Sequence, residues 1–381
     1  LETWPKTLGW MDISDPDGAR SFLSTVAGSM ITIAGVVFSI TIVALVQASG
    51  QYGPRLLGNF LRDRGNQVVL GTFIATFMYC LLVLHSVKSS DYETFVPHFA
   101  LLIGMLLTIA SVGVLVYFFH HISVSLQAES IISSVGKELE TAVARLFPQQ
   151  MHTSWFEPPG TKDDELLADL TLDEASMIPA TQSGYVQGID IDDLITYAEE
   201  HGLVFRLMHR PGDFVAKEND LAAVWPSGHL TDELEMTVRK AFVLGNQRLR
   251  VHDVEFTVNQ LVEIAVRALS PGINDPFTAI GCIDQLGAGM TQLVKRSLPA
   301  GYHLDDNGKL RVLTDALTFT SILDAAFNQI RQHARSDAAV TIRLLEAIST
   351  IAPHTRTTEQ CETLRRQAEM IHRGSEDAIP E

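Results

Sequence analysis

Phe22-Leu-Ser-Thr-Val-Ala-Gly-Ser-Met-Ile-Thr-Ile-Ala-Gly-Val-Val-Phe-Ser-Ile-Thr-Ile-Val-Ala-Leu-Val-Gln47 decides how the chain is read. It sits in a gap that holds no charged residue between Arg20 and Arg55. At about 1.5 Å of rise per residue, such a helix crosses a hydrocarbon core of roughly 30 Å. Two more uncharged runs follow, Val68 to Val87 and Phe95 to Phe119. A helix satisfies its own backbone hydrogen bonds, which lipid cannot do for it. The alternative, three buried core helices, fits poorly because core helices seldom go so long without a charge.

Charge divides the chain at the same place. Residues 1–128 hold six Lys/Arg against seven Asp/Glu, whereas the remainder holds 22 against 38, within a total of -17 over 381 residues. A neutral, oily front and an acidic back read as a membrane region followed by a water-soluble domain. The acidity argues against a nucleic-acid partner, which needs a basic patch. Three cysteines make no disulfide framework.

The short loops set an expected orientation. Ser49 to Gln67 carries Arg55, Arg62 and Arg64 against Asp63 and is assigned to the cytoplasm; Lys88, Asp91 and Glu93 mark an external loop. The acidic domain is then cytoplasmic, and residues 1–20, with Trp4 and Trp10 near the interface, form an external segment. A chain that starts outside with Leu rather than Met leads to the expectation of one further span upstream.

Thr25, Gly28, Thr32, Gly35 and Ser39 recur at three- and four-residue spacing, on one narrow stripe of the first span. Small and hydroxylated residues let helices approach closely and bond across the gap. The same stripe, repeated by symmetry in an oligomer, also suits the lining of a narrow pathway. Both readings stand at this point. No charge ring and no intramembrane acid or base occurs in the spans, so no ion preference or proton relay is indicated. His85, His120 and His121 fall near span ends and read as interface anchors.

The expected fold class is a membrane α-helical region plus a cytoplasmic α+β domain, a small β-rich unit followed by helices. The spans occupy residues 21–121. An amphipathic connecting helix covers 122–147, with Ile132, Val135, Leu139, Val143 and Leu146 on one stripe. It is expected to pack on a neighbouring element or on a symmetry mate. A Pro-rich, acidic linker spans 148–182, the β-rich unit 183–228 and a mainly helical domain 229–381. Within the β-rich unit, Asp190 is a candidate N-cap, Gly202 a helix stop, and Arg210-Pro-Gly-Asp213 a turn. That turn resembles those of biotin- and lipoyl-carrying domains, but no acceptor-lysine motif accompanies it.

On the helix expected over 251–269, His252, Glu255, Asn259, Glu263 and Arg267 face away from the apolar side. His and carboxylates so spaced are candidates for a divalent cation, or for a solvated face paired with Arg248 and Arg250. At Ser270-Pro-Gly-Ile-Asn-Asp275, Asp275 suits an N-cap with Pro276 behind it, and Asn274 a local turn. Such a corner offers backbone N–H groups to an anion. Asn307-Gly308 marks a hairpin. Helices are expected at 314–334, 337–350 and 357–373. No phosphate loop, nucleophile elbow, Cys-x-x-Cys pair or His-Glu-x-x-His occurs, so the chain gives an enzyme no positive support and calls for no cofactor.

Three segments together carry a resemblance: Thr25-Val-Ala-Gly-Ser-Met-Ile-Thr-Ile-Ala-Gly-Val-Val-Phe-Ser-Ile-Thr41, Gln51-Tyr-Gly-Pro-Arg55, and Arg267-Ala-Leu-Ser-Pro-Gly-Ile-Asn-Asp-Pro-Phe-Thr-Ala279. They resemble the bacterial predicted-membrane-protein family called domain of unknown function 2254, over nearly the whole chain. The resemblance implies four spans and a soluble C-terminal domain and carries no assigned activity. The expectation is a homo-oligomeric, multi-pass protein of the bacterial inner membrane, in contact with the lipid bilayer, forming a channel or conduit. The rival is a membrane-anchored sensor or scaffold that takes a small ion or anion without transport.

Overall fold

The computed structural model describes residues 16–53, 63–90, 93–147, 174–228, 231–248, 254–298, 301–376 and 378. The chain forms two compact units, residues 1–131 and 132–381. The segment carrying Trp4 and Trp10, the loop with Arg55 and Arg62, and linker residues 148–173 lie outside the described residues.

The first unit is built from α1 (Pro16–Tyr52), α2 (Arg64–Ser86) and α3 (His98–Ser125). All three are long and apolar enough to cross a membrane. Each is longer than the uncharged stretch that marks it in sequence. α1 starts with Pro16 and Asp17 in its first turn and ends only at Gly53, whose φ of 107° suits glycine. At 37 residues it is about 55 Å long. The Asp63 side chain caps α2 by accepting from the Gly65 amide. Between α2 and α3, β1 (Lys88–Ser90) and β2 (Glu93–Phe95) pair antiparallel.

The core of this unit joins Leu23, Met30 and Val37 of α1, Phe73 and Cys80 of α2, and Phe118 of α3. Inside it, the hydroxyl oxygens of Thr76 and Ser111 lie 3.2 Å apart. Polar clasps hold both ends. Arg20 donates to the Val87 carbonyl at 3.1 Å. At the other end His121 meets Asp63 at 2.6 Å, with its ring stacked on Tyr117. His121 therefore has a defined partner within the bundle, beyond the anchoring expected of it.

The second unit contains two sheets. The larger has strand order β3-β7-β5-β10-β9: β3 (Ser176–Pro179), β7 (Asp220–Trp225), β5 (Val204–Leu207), β10 (Leu310–Leu313) and β9 (Tyr302–Leu304). β5 and β10 run parallel, with Phe205 opposite Val312, and the other pairs among the described residues are antiparallel. The smaller is β6-β4-β8: β6 (Phe214–Val215), β4 (Gly184–Ile189) and β8 (Phe242–Gly245). The sheets therefore reach past the boundaries read from sequence. They recruit β3 from the expected linker, and β8, β9 and β10 from the expected helical part. Ile178, Val186, Phe205, Leu221 and Val312 share one core with Leu194 and Val238 of the helices α5 (Ile191–His201) and α6 (Asp232–Ala241). Asp190 and left-handed Gly202 (φ 68°) bracket α5 as its sequence suggests.

Helices α7 (Val254–Ala268), α8 (Pro276–Leu293), α9 (Phe319–His333), α10 (Ala338–Ile351) and α11 (Thr358–Glu376) complete the unit. α9 starts at 319 instead of 314 because Leu310–Leu313 is strand and Thr318 caps the helix in a box with Ser321. The amphipathic helix α4 (Ala128–Leu146) buries Ile132, Val135, Leu139 and Val143. It packs on α8 within the chain, so closely that a Cβ on Gly289 would lie 2.5 Å from Leu139 Cδ2.

Candidate functional site

On α1, buried Leu23, Val26, Met30, Ala34 and Val37 define the face turned to the bundle. At 3.6 residues per turn the stripe falls on the opposite side. Thr25, Gly28, Thr32, Gly35 and Ser39 are all exposed. A Cβ built on Gly28 or Gly35 meets nothing within 4 Å. The stripe thus takes no part in packing α1 against α2 or α3. Its hydroxyls spend their protons at home: Thr32 donates to the Gly28 carbonyl at 2.8 Å and Ser39 to that of Gly35 at 2.9 Å. What remains outward is oxygen with lone pairs. Ile31 and Phe38 border one edge and Val36 the other. Beyond Ser39 the same line turns apolar, with Val43 69% and Val46 66% exposed.

The outward faces of α2 and α3 differ. They present Val68, Ile74, Met78 and Leu82, and Phe99, Leu102, Leu106, Ile109 and Val116. Large apolar side chains suit lipid, whereas a small, hydroxylated stripe suits another helix or water.

α7 is buried nearly all round, from Val254 and Val258 to Thr257 and Gln260, which shows it to be a central helix. Of its expected polar face, His252 lies outside the described residues. Glu255 is clasped by Arg210 at 3.0 Å and Arg248 at 3.5 Å. Glu263 pairs with Arg267 one turn on, at 3.4 Å. Asn259 is half-buried between them. Of the two arginines expected to pair with this face, Arg248 reaches Glu255 and Arg250 lies outside the described residues. Among the described residues no group of three His, Cys, Asp or Glu is placed to hold a metal ion. Arg210 comes from the Pro-Gly turn, so sequence spacing alone does not reveal this clasp.

At the corner before α8, Asn274 takes a left-handed φ of 50° and the Asp275 amide bonds the Ala268 carbonyl at 2.8 Å. The Asp275 carboxylate receives the Thr278 amide at 3.1 Å and its hydroxyl at 2.6 Å. The chain's own anion therefore occupies part of the N-terminus that a free anion would seek. The corner instead displays Phe277, 83% exposed, and Ile273. Burial pushes the Cys282 thiol well up and makes it an inert core residue.

Comparison with known proteins adds the family. The family described as "Predicted membrane protein (DUF2254)" matches residues 2–350. Uncharacterized proteins of Mycobacterium tuberculosis and Mycobacterium bovis are each 33% identical over 349 residues, covering 88% of this chain and 64% of the relative. The chain thus spans about two thirds of the length of these relatives. No solved structure matches it. From its bundle of long apolar helices to the Arg267–Ala279 corner, the chain belongs to the DUF2254 family of predicted membrane proteins.

Proposed function

We propose that the protein is a homo-oligomeric conduit of the bacterial inner membrane, lined by the outward stripe of α1. One observation carries the reading: α1 turns five small or hydroxylated residues, spaced about one helical turn apart, away from its own bundle. Symmetry-related copies of Thr25, Gly28, Thr32, Gly35 and Ser39 then face a shared axis. The hydroxyl oxygens offer acceptors, which suits water or hydrated cations better than anions. Val43 and Val46 form the narrow apolar end, the natural place for a gate that closes by dewetting. The loop arginines support a cytoplasmic place for the unit beyond residue 131, where it assembles the oligomer or senses a ligand.

The test is ion flux through liposomes holding the purified protein. Thr32→Leu combined with Ser39→Leu is expected to reduce flux at least tenfold; unchanged flux rejects the lining role. The rival is an anchored sensor or scaffold, favoured by the open space over Gly28 and Gly35, where another helix backbone fits. Single cysteines separate the two. In a conduit, Thr32→Cys and Ser39→Cys react with a water-soluble thiol reagent while Ile109→Cys does not. In a packed interface, the first two are shielded and cross-link instead.

A further inference from the structure

We propose that the cleft between α5 and the β9–β10 hairpin binds an elongated aliphatic polyamine. The cleft has a volume of about 610 Å³, within the range of roughly 300–1,000 Å³ usual for small-molecule sites. It lies wholly in the second unit, and the proposal is independent of any conduit in the first.

Its walls are set before a ligand arrives. Asp305, at the start of the hairpin turn, accepts from the amides of Asn307 and Lys309 and from the Arg311 guanidinium at 2.7 Å. Arg311 also reaches the carbonyls of Ala198 and Leu203, at the end of α5. The Asn307 amide donates to Glu199 at 3.0 Å. Turn and helix are thereby tied together, so little ordering is left to oppose binding.

The chemistry of the lining selects the ligand. Ile191, Ile195 and Leu304 supply an apolar floor. Asp192, Glu199 and Asp306 supply charge, and among the described residues none of the three is in an ion pair. Among the described residues no Lys or Arg lines the cleft; Arg311 is spent on Asp305 and two carbonyls. Burial lowers the pKa of His303 in the wall, against an opposing pull from Asp192, which favours its neutral form. An anion is therefore repelled. A single metal ion does not fit either, because the acids do not converge on one point. Asp192 and Glu199, seven residues and so about 10 Å apart along α5 beside Ile191 and Ile195, match ammonium groups separated by methylenes: the methylenes cover the apolar side chains and each ammonium meets a carboxylate.

Calorimetric titration of spermidine into the full chain, in non-ionic detergent at physiological ionic strength, tests this. One saturable site per chain is expected. Asp192→Asn/Glu199→Gln/Asp306→Asn should weaken it about tenfold or more, and Thr196→Trp, which fills the cleft without changing charge, should abolish it. Asp232→Asn/Glu233→Gln/Glu362→Gln removes as many exposed carboxylates that do not line the cleft and should bind as the parent does. Four results overturn the proposal: no saturable binding, equal weakening in both triple variants, binding retained in Thr196→Trp, or magnesium ion displacing spermidine at equal concentration. Tighter binding of a lysine-rich peptide reassigns the cleft to a protein tail and overturns it too. If the acidic triple variant does not fold, Thr196→Trp decides.

Discussion

On α2 and α3, Leu82, Leu106, Ile109 and Val116 point outward while the hydroxyls of Thr76 and Ser111 meet inside. In the unit from Ile132 onward the surface differs. Phe205, Leu261 and Phe327 are fully buried, and guanidinium and carboxylate groups such as Arg366 and Asp324 pair at the surface. Both regions bury large apolar side chains, but the first also exposes them in rows along its helices, a pattern that suits lipid better than water. Burial drives folding in water, but lipid tails are as apolar as leucine, so the membrane-type bundle is left to shape and a few internal polar contacts. α1 departs from its two neighbours by gathering Thr25, Gly28, Thr32, Gly35 and Ser39 on one outward line.

The strongest contrast with the bundle lies at a deeply buried ion pair of the second unit. The Asp305 carboxylate is 1% exposed and the Arg311 guanidinium 8%. Either Asp305→Ala or Arg311→Met leaves an unpaired buried charge and should cost about 3–5 kcal/mol, read as a drop in the thermal unfolding midpoint. Replacing both together should recover much of that loss. A leucine pair sharpens the contrast between regions. Leu139→Ala, facing α8, should cost about 2–5 kcal/mol, whereas Leu106→Ala, facing outward, should leave stability in detergent nearly unchanged.

A smaller loss is expected from Gly289→Ala, whose new methyl meets Leu139 Cδ2 at 2.5 Å. Overpacking there should cost about 1–3 kcal/mol, and adding Leu139→Ala should relieve it in a double-mutant cycle. Within the bundle, Thr76→Val should cost only about 0.6 kcal/mol, the average for a hydroxyl contact between spans. The smallest effect is in pH. Folding lowers the pKa of His303, so the unfolded chain binds more protons between that lowered value and about 6.5. Stability should therefore rise with pH through this window and fall as pH drops through the folded value. The slope should flatten in His303→Gln.

Much of the local structure can be read directly from residues. Asp190 and Gly202 bracket α5, Asp275 caps α8, and Asn307-Gly308 turns the hairpin, because caps and turns depend on a few neighbouring atoms. The same holds for the charge-free runs behind α1, α2 and α3. The partition of the second unit is harder to read, since β3 and the β9–β10 hairpin join strands far away in the chain, and no local pattern announces a strand's partner. The polar face of α7 is visible in the sequence, yet its arginine clasp depends on Arg210, 45 residues upstream of Glu255.

Sequence by itself determined the three long apolar helices, the acidity of the chain beyond them, and the outward-capable stripe of α1. These are properties of composition and of helical period, fixed before any chain contact forms. Packing was needed to place the stripe opposite the bundle's own contacts, to set α4 against α8, and to bring Asp192, Glu199 and Asp306 to one cleft beside the paired Asp305. Each of those facts is a distance between residues remote in sequence, and such distances are set by which surfaces pack together.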